Sequence, residues 1–128
     1  MRAFKVIETD RAPKPVAPYS QGIMVDQFLF TCGNVGAFPE TGKLAGNDIE
    51  SQTEHTLKNI ESIVIASGMK VTDIVKITVY LKKLSDYQGM NLAYSKFFSG
   101  QKPARTTIGV SDLLLGALVE MDAIVIRR

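Results

Sequence analysis

"ALVEMDAIVIRR", residues 117–128, alternates strictly: Val119, Met121, Ala123 and Val125 fall on one side, Glu120, Asp122, Ile124 and Ile126 on the other. A period of two is the signature of a strand. The first side is uniformly apolar and asks for a covering layer. The second carries two isoleucines beside two carboxylates. What covers each side decides the architecture.

Working upstream, "KPARTTIGVSD", 102–112, reads as another short strand over Thr106–Val110, entered through Pro103 and Arg105. Proline has a fixed φ and no N–H, so it suits a strand's entrance better than its interior. From Asp73 to Lys82 the alternation puts Val75, Ile77, Val79 and Leu81 on one side. Between these strands "SDYQGMNLAYSKFF" predicts a helix capped by Ser85 or Asp86, with Tyr87, Met90, Tyr94, Phe97 and Phe98 on its apolar side. A first helix runs from Asp48, a candidate N-cap, to a stop at Gly68. Its apolar positions are Ile49, Thr53, Leu57, Ile60 and Val64. Ahead of it, "GIMVDQFLFTCG", 22–33, reads as a hairpin turning at Asp26–Gln27, and "FPETGKLAG" as a further turn. The proline-rich "DRAPKPVAPYSQG" before the hairpin reads as extended.

The order is hairpin, helix, strand, helix, strand, strand. Two helices that each bury one stripe fit an α+β layer, both on one face of a mixed sheet. Residues 1–128 read as one domain of ordinary size. The sheet's other face, with Ile124 and Ile126, has no helix left in the chain to cover it, which predicts a partner subunit.

Composition removes several classes of function. Fifteen basic against thirteen acidic residues give a net charge of +2. The longest basic runs are the pairs Lys82–Lys83 and Arg127–Arg128, which argues against direct nucleic-acid binding. One cysteine and one histidine supply neither a disulfide nor a ligand cluster for zinc. No apolar run reaches the ~20 residues of a membrane span, and no leader pattern opens the chain. The expectation is a soluble cytoplasmic protein without a membrane partner.

If the strand after Arg105 pairs with the last strand, the guanidinium and the Glu120 carboxylate lie near the same sheet edge. Two readings stand side by side: an anion-binding arginine beside an acid/base carboxylate in a cleft between subunits, or a structural ion pair closing a subunit contact. His55 reads as a solvent-facing helix residue, which leaves Cys32 without a histidine partner. The Tyr87, Tyr94, Phe97 and Phe98 group reads as core.

"PARTTIGVSDLLLGALVEMDAIVIRR" closely resembles the C-terminal signature of the reactive-intermediate deaminase family (RidA, formerly YjgF). The likeness continues through "APYSQGI" at 17–23, "TGKL" at 41–44, "QTEHTLKNIESIVIASG" at 52–68, "DIVKITVYLKKLSDY" at 73–87 and "MNLAYSKFF" at 90–98. It implies a chorismate-mutase-like α+β fold and a homotrimer with ligand clefts between subunits. It also implies hydrolysis of 2-enamino or 2-imino acids, such as 2-aminoacrylate, to 2-oxo acids and ammonia without a cofactor, as in a 2-iminobutanoate/2-iminopropanoate deaminase.

Carried over residue by residue, the resemblance gives Arg105 the substrate carboxylate and Glu120 the attacking water and the departing ammonia. Tyr19 would border the site, Asn91 would shape the cleft, and the backbone of Thr107 would hold the water. The chain departs from the family at two of these positions. Thr107 stands where many members have cysteine. "CGNVG", 32–36, stands where Ser-Gly-Gln-Ile-Pro is common, so Cys32 replaces a serine while Gly33 is kept. A thiol is a weaker donor than a hydroxyl, so the change bears on substrate preference. Beside the deaminase stand two other classes: a non-catalytic trimer that senses small carboxylates, left open by Cys32, and an RNA-acting inhibitor of translation, disfavoured by the near-neutral charge.

Overall fold

The computed structural model describes residues 4–128; residues 1–3, the start of the segment read for a leader, lie outside them. The strands are β1 (Phe4–Ile7), β2 (Gly22–Val25), β3 (Phe28–Thr31), β4 (Asn34–Val35), β5 (Ile74–Leu81), β6 (Ala104–Gly109) and β7 (Val119–Ile126). The helices are α1 (Ile49–Ala66) and α2 (Tyr87–Phe97). The fold is α+β, as the periodicities predict. One mixed sheet runs β1-β2-β3-β7-β5-β6, with β4 paired to β7 beyond the end of β3.

The last strand behaves as its alternation requires. Val119, Met121, Ala123 and Val125 are buried, and the residues between them are half-buried. They share one core with Leu57, Ile60 and Ile63 of α1 and with Met90, Tyr94 and Phe98 from α2 and its end, so both helices lie on this face. Asp48 caps α1 by accepting a hydrogen bond from Ser51 N–H at 2.9 Å, and Gly68 supplies the left-handed residue after its end, at φ 85°.

Polar residues of α1 anchor the loops. The Asn59 amide donates to Val35 O (3.1 Å) and Ala37 O (2.9 Å), holding β4 against the helix. Gln52 donates to Gly46 O (2.9 Å) and accepts from Leu118 N–H (2.8 Å), which sets the start of β7. A buried amide satisfied on both sides orders two loops at once.

Four expectations need correction. First, β6 does not pair with β7. It pairs in parallel with β5, Arg105 opposite Ile77, while β7 pairs with the other edge of β5. The helical crossover through α2 delivers β6 parallel to β5 and leaves it on the sheet edge. Second, a register shift between Ile74 and Lys76 turns Val75 out to solvent and gives its place in the core to Ile74. Third, the proline-rich segment is not simply extended. It folds around the buried Gln21 amide, which donates to Thr9 O, Ala12 O and Pro13 O and accepts from Thr9 N–H. Fourth, Tyr87 is exposed and not part of the core.

The helix-free face is apolar over its β1-β2-β3-β7 half. Register places Phe4, Val25, Phe28 and Ile126 in one row, and Val6, Ile23, Phe30 and Ile124 in the next. The Phe28 and Phe30 rings stack at 6.1 Å, and Phe4 is 68% exposed. The other half of this face turns polar at Glu120, Asp122 and Tyr80.

Candidate functional site

The chain carries two clusters of candidate residues, one on each face of the sheet. Arg105 is the second residue of β6, opposite the fully buried Ile77, so its side chain rises on the helix face. There α2 receives it. Nη2 donates to the Tyr87 hydroxyl at 3.2 Å, Nη1 lies 3.8 Å from Met90 Sδ, and Cζ sits 4.8 Å from the Tyr94 ring centroid and 5.6 Å from that of Tyr87. Two rings hold the planar cation by cation–π contact and limit its orientations. Burial pushes the Tyr94 phenol up to about 12, against the opposing pull of Arg105, so it stays neutral. No carboxylate pairs with Arg105 among the described residues.

Asn91 stands four residues after Tyr87 and three before Tyr94, on the same flank of α2. Thr107 follows Arg105 by two on β6 and shares its side of the strand. Both are half-buried. Arg105, Asn91 and Thr107 therefore belong to one ledge along the sheet edge. The role of Tyr87 escapes the sequence reading because its spacing is that of a core residue; a tyrosine one turn ahead of the buried Met90 is the signal available.

Glu120 belongs to the other face. Its strand neighbours Val119 and Met121 are fully buried toward the helices, and Glu120 lies opposite Tyr80 of β5 and Val35 of β4. Between β3 and β4 the chain spends one residue more than β7 does, from Phe30↔Ile124 to Asn34↔Met121, and the bulge falls on Thr31–Gly33. It brings Gly33 so close to Glu120 that a Cβ there would overlap the carboxylate. Glu120 accepts no hydrogen bond from any described residue. Burial, and then the Asp122 carboxylate, push it above its ordinary value.

Cys32 is half-buried beside Gly33. Its N–H donates to Gln21 O at 2.8 Å, and the Asn34 amide reaches its Sγ at 3.6 Å. Burial raises the thiol, which keeps it protonated near neutrality. His55 is not simply solvent-facing: it packs edge-on against Phe38 at 4.6 Å, and burial followed by Lys58 lowers it. Tyr19, 48% exposed, joins neither cluster by a contact of its side chain; its loop is tied to the bulge through Gln21.

The structure corrects the adjacency expected of these residues. Within one chain, Arg105 with Asn91 and Thr107 faces the helices, whereas Glu120 with Gly33 faces away. An ion pair between Arg105 and Glu120 of the same chain is absent. Three surface hollows of 510–550 Å³ are lined by neither residue, although one takes in Tyr19. Among the described residues no group of three His, Cys, Asp or Glu side chains could hold a metal ion, and no helix is long and apolar enough to cross a membrane. What the halves offer is a fixed cation for a carboxylate and an unpaired carboxylate for a proton.

Comparison with known proteins extends over nearly the whole chain. A family model described as endoribonuclease L-PSP matches residues 9–127. A RutC family protein of Pyrococcus abyssi is 45% identical over 126 residues, covering 98% of this chain and 99% of that one. A 2-iminobutanoate/2-iminopropanoate deaminase of Salmonella typhimurium is 38% identical over 127 residues, covering 97% and 98%. A crystal structure of Escherichia coli TdcF with bound serine superposes with a TM-score of 0.93 at 35% identity, covering 97% and 99%.

Proposed function

The chain belongs to the RidA/YjgF family, the family of the endoribonuclease L-PSP model, and from that premise we propose that it hydrolyses 2-imino acids to 2-oxo acids and ammonia. The observation that carries the proposal is the unpaired Arg105 guanidinium on its tyrosine cradle, a fork built for a carboxylate. The serine bound by TdcF is itself a small 2-amino acid with such a carboxylate.

The site is completed between copies. The apolar face around Phe28, Phe30, Ile124 and Ile126 seats a second chain, whose β6–α2 ledge then meets this chain's Glu120. A homotrimer closes such a head-to-tail contact. In each cleft Arg105 grips the substrate carboxylate, with Asn91 and the Thr107 backbone beside it. Glu120 of the neighbouring copy takes a proton from water as the oxygen attacks the imine carbon. The C=N electron pair moves to nitrogen, which takes that proton from Glu120 to give the carbinolamine. The carbinolamine hydroxyl then gives its proton to Glu120, Glu120 passes it to nitrogen, the C–N bond breaks, and ammonia leaves the 2-oxo acid. An enamine such as 2-aminoacrylate first tautomerises to the imine. Tyr19 and Cys32 border the cleft, and no cofactor takes part.

The test is to generate 2-aminoacrylate with a coupled lyase and follow its loss with and without this protein. Acceleration is expected, and its absence with all imino acids tried would overturn the reading. Cys32 favours a second reading, a trimer that binds small carboxylates without turnover; calorimetric binding of a 2-oxo acid in a protein with no imine hydrolysis would select it.

A further inference from the structure

Resting on that reading, we propose that Asp122, pinned by Tyr80, is a positioning residue whose fixed negative charge makes Glu120 a stronger base for the water. The geometry is specific. Glu120 and Asp122 alternate with the buried Met121, so both carboxylates stand on the helix-free face of β7. Tyr80, directly across from Glu120 on β5, donates its hydroxyl to Asp122 Oδ2 at 2.9 Å. The Tyr80 phenol is raised by burial and by this bond, so its proton stays in place. Asp122 can therefore neither swing away from Glu120 nor lose its donor.

Two like charges two residues apart on a half-buried face oppose each other. The repulsion is present while Glu120 is ionised and vanishes once it has taken the proton from water. It thus favours the step in which the base is used, not the resting state. The Gly33 bulge closes the other side of Glu120, so the carboxylate cannot relieve the repulsion by turning that way. Among the described residues, the other ionisable groups of this face are Lys76 on β5, Lys82 just beyond it, and the Cys32 thiol in the bulge, and no lysine is ion-paired to either carboxylate. Across the proposed cleft lies Arg105 of a second copy, occupied by the substrate carboxylate.

Asp122→Asn keeps an acceptor for Tyr80 and removes only the charge. In the assembled protein, carbon NMR of the Glu120 carboxyl is followed against pH, beside the acid limb of kcat/KM for imine hydrolysis. Both midpoints are expected at lower pH in Asp122→Asn and near the wild-type position in Asp122→Glu. Unchanged midpoints in Asp122→Asn, with turnover intact, would overturn the role of Asp122 and leave the deaminase reading standing. Loss of turnover in the wild-type protein would remove that reading and the base's task with it. Should Asp122→Asn not assemble, Asp122→Thr decides: it also removes the charge while keeping an acceptor for Tyr80, so the midpoint must fall, and an unchanged or raised midpoint overturns the proposal.

Discussion

Arg105 shows how much of a residue's meaning lies in its surroundings. The Pro-Ala-Arg motif marks it, but its hold on two tyrosine rings and its distance from the chain's own Glu120 come from α2 and the sheet order. Charge-assisted hydrogen bonds contribute roughly 1.5–3 kcal/mol each, so Arg105→Ala should lower kcat/KM at least about 100-fold. Arg105→Lys keeps the charge without the fork and should recover only part of that loss. Molar mass in solution should stay unchanged in both; an assembly that falls apart would make the arginine structural. Cys32 bears the opposite expectation. Burial raises its thiol, which weighs against a nucleophile's role. Cys32→Ser should keep turnover and change at most the preference among imino acids. Abolished turnover in a correctly assembled Cys32→Ser protein would restore covalent catalysis.

At the scale of elements, two glycines of "CGNVG" separate site from scaffold. Gly36 lies against the backbone of Gln52 in α1, where an added Cβ has nowhere to go without moving β4 from the helix. Gly36→Ala should cost about 1–3 kcal/mol as an overpacked contact and lower Tm by several degrees in a thermal melt. Gly33 lies against the far end of the Glu120 side chain, which can rotate away. Gly33→Ala should leave Tm nearly unmoved while turnover falls, because the carboxylate is displaced. The reverse pattern, a large Tm loss at Gly33 or none at Gly36, would contradict this division. The sequence shows Gly33 and Gly36 without saying which protects what. The bulge that distinguishes them comes from counting residues on two strands far apart in the chain.

For the whole molecule, the decisive feature is a sheet with one covered face. Rows of Phe4, Val25, Phe28 and Ile126, and of Val6, Ile23, Phe30 and Ile124, form an apolar surface that no element of the described residues covers. In the proposed trimer, burial of that surface between copies would drive assembly. Ile126→Glu should break the proposed trimer into monomers or make the protein insoluble, since an unpaired charge in such a contact is costly. Light scattering at micromolar concentration reads the outcome, and a wild-type monomer would remove the proposed cleft altogether. What the sequence by itself determined is local and periodic: α1 with its Asp48 cap, the β2–β3 hairpin, α2, and the two-sided β7 with Ile124 and Ile126 left over. Caps, turns and alternation are interactions among neighbours in the chain, so they are written in short stretches. Only the tertiary structure decided that β6 pairs with β5 and leaves β7 between β5 and β3, that Val75 turns outward, that Tyr87 holds Arg105, and that Arg105 and Glu120 stand on opposite faces. Those outcomes depend on which strands share hydrogen bonds and where one extra residue bulges, a competition among distant segments that no local pattern encodes.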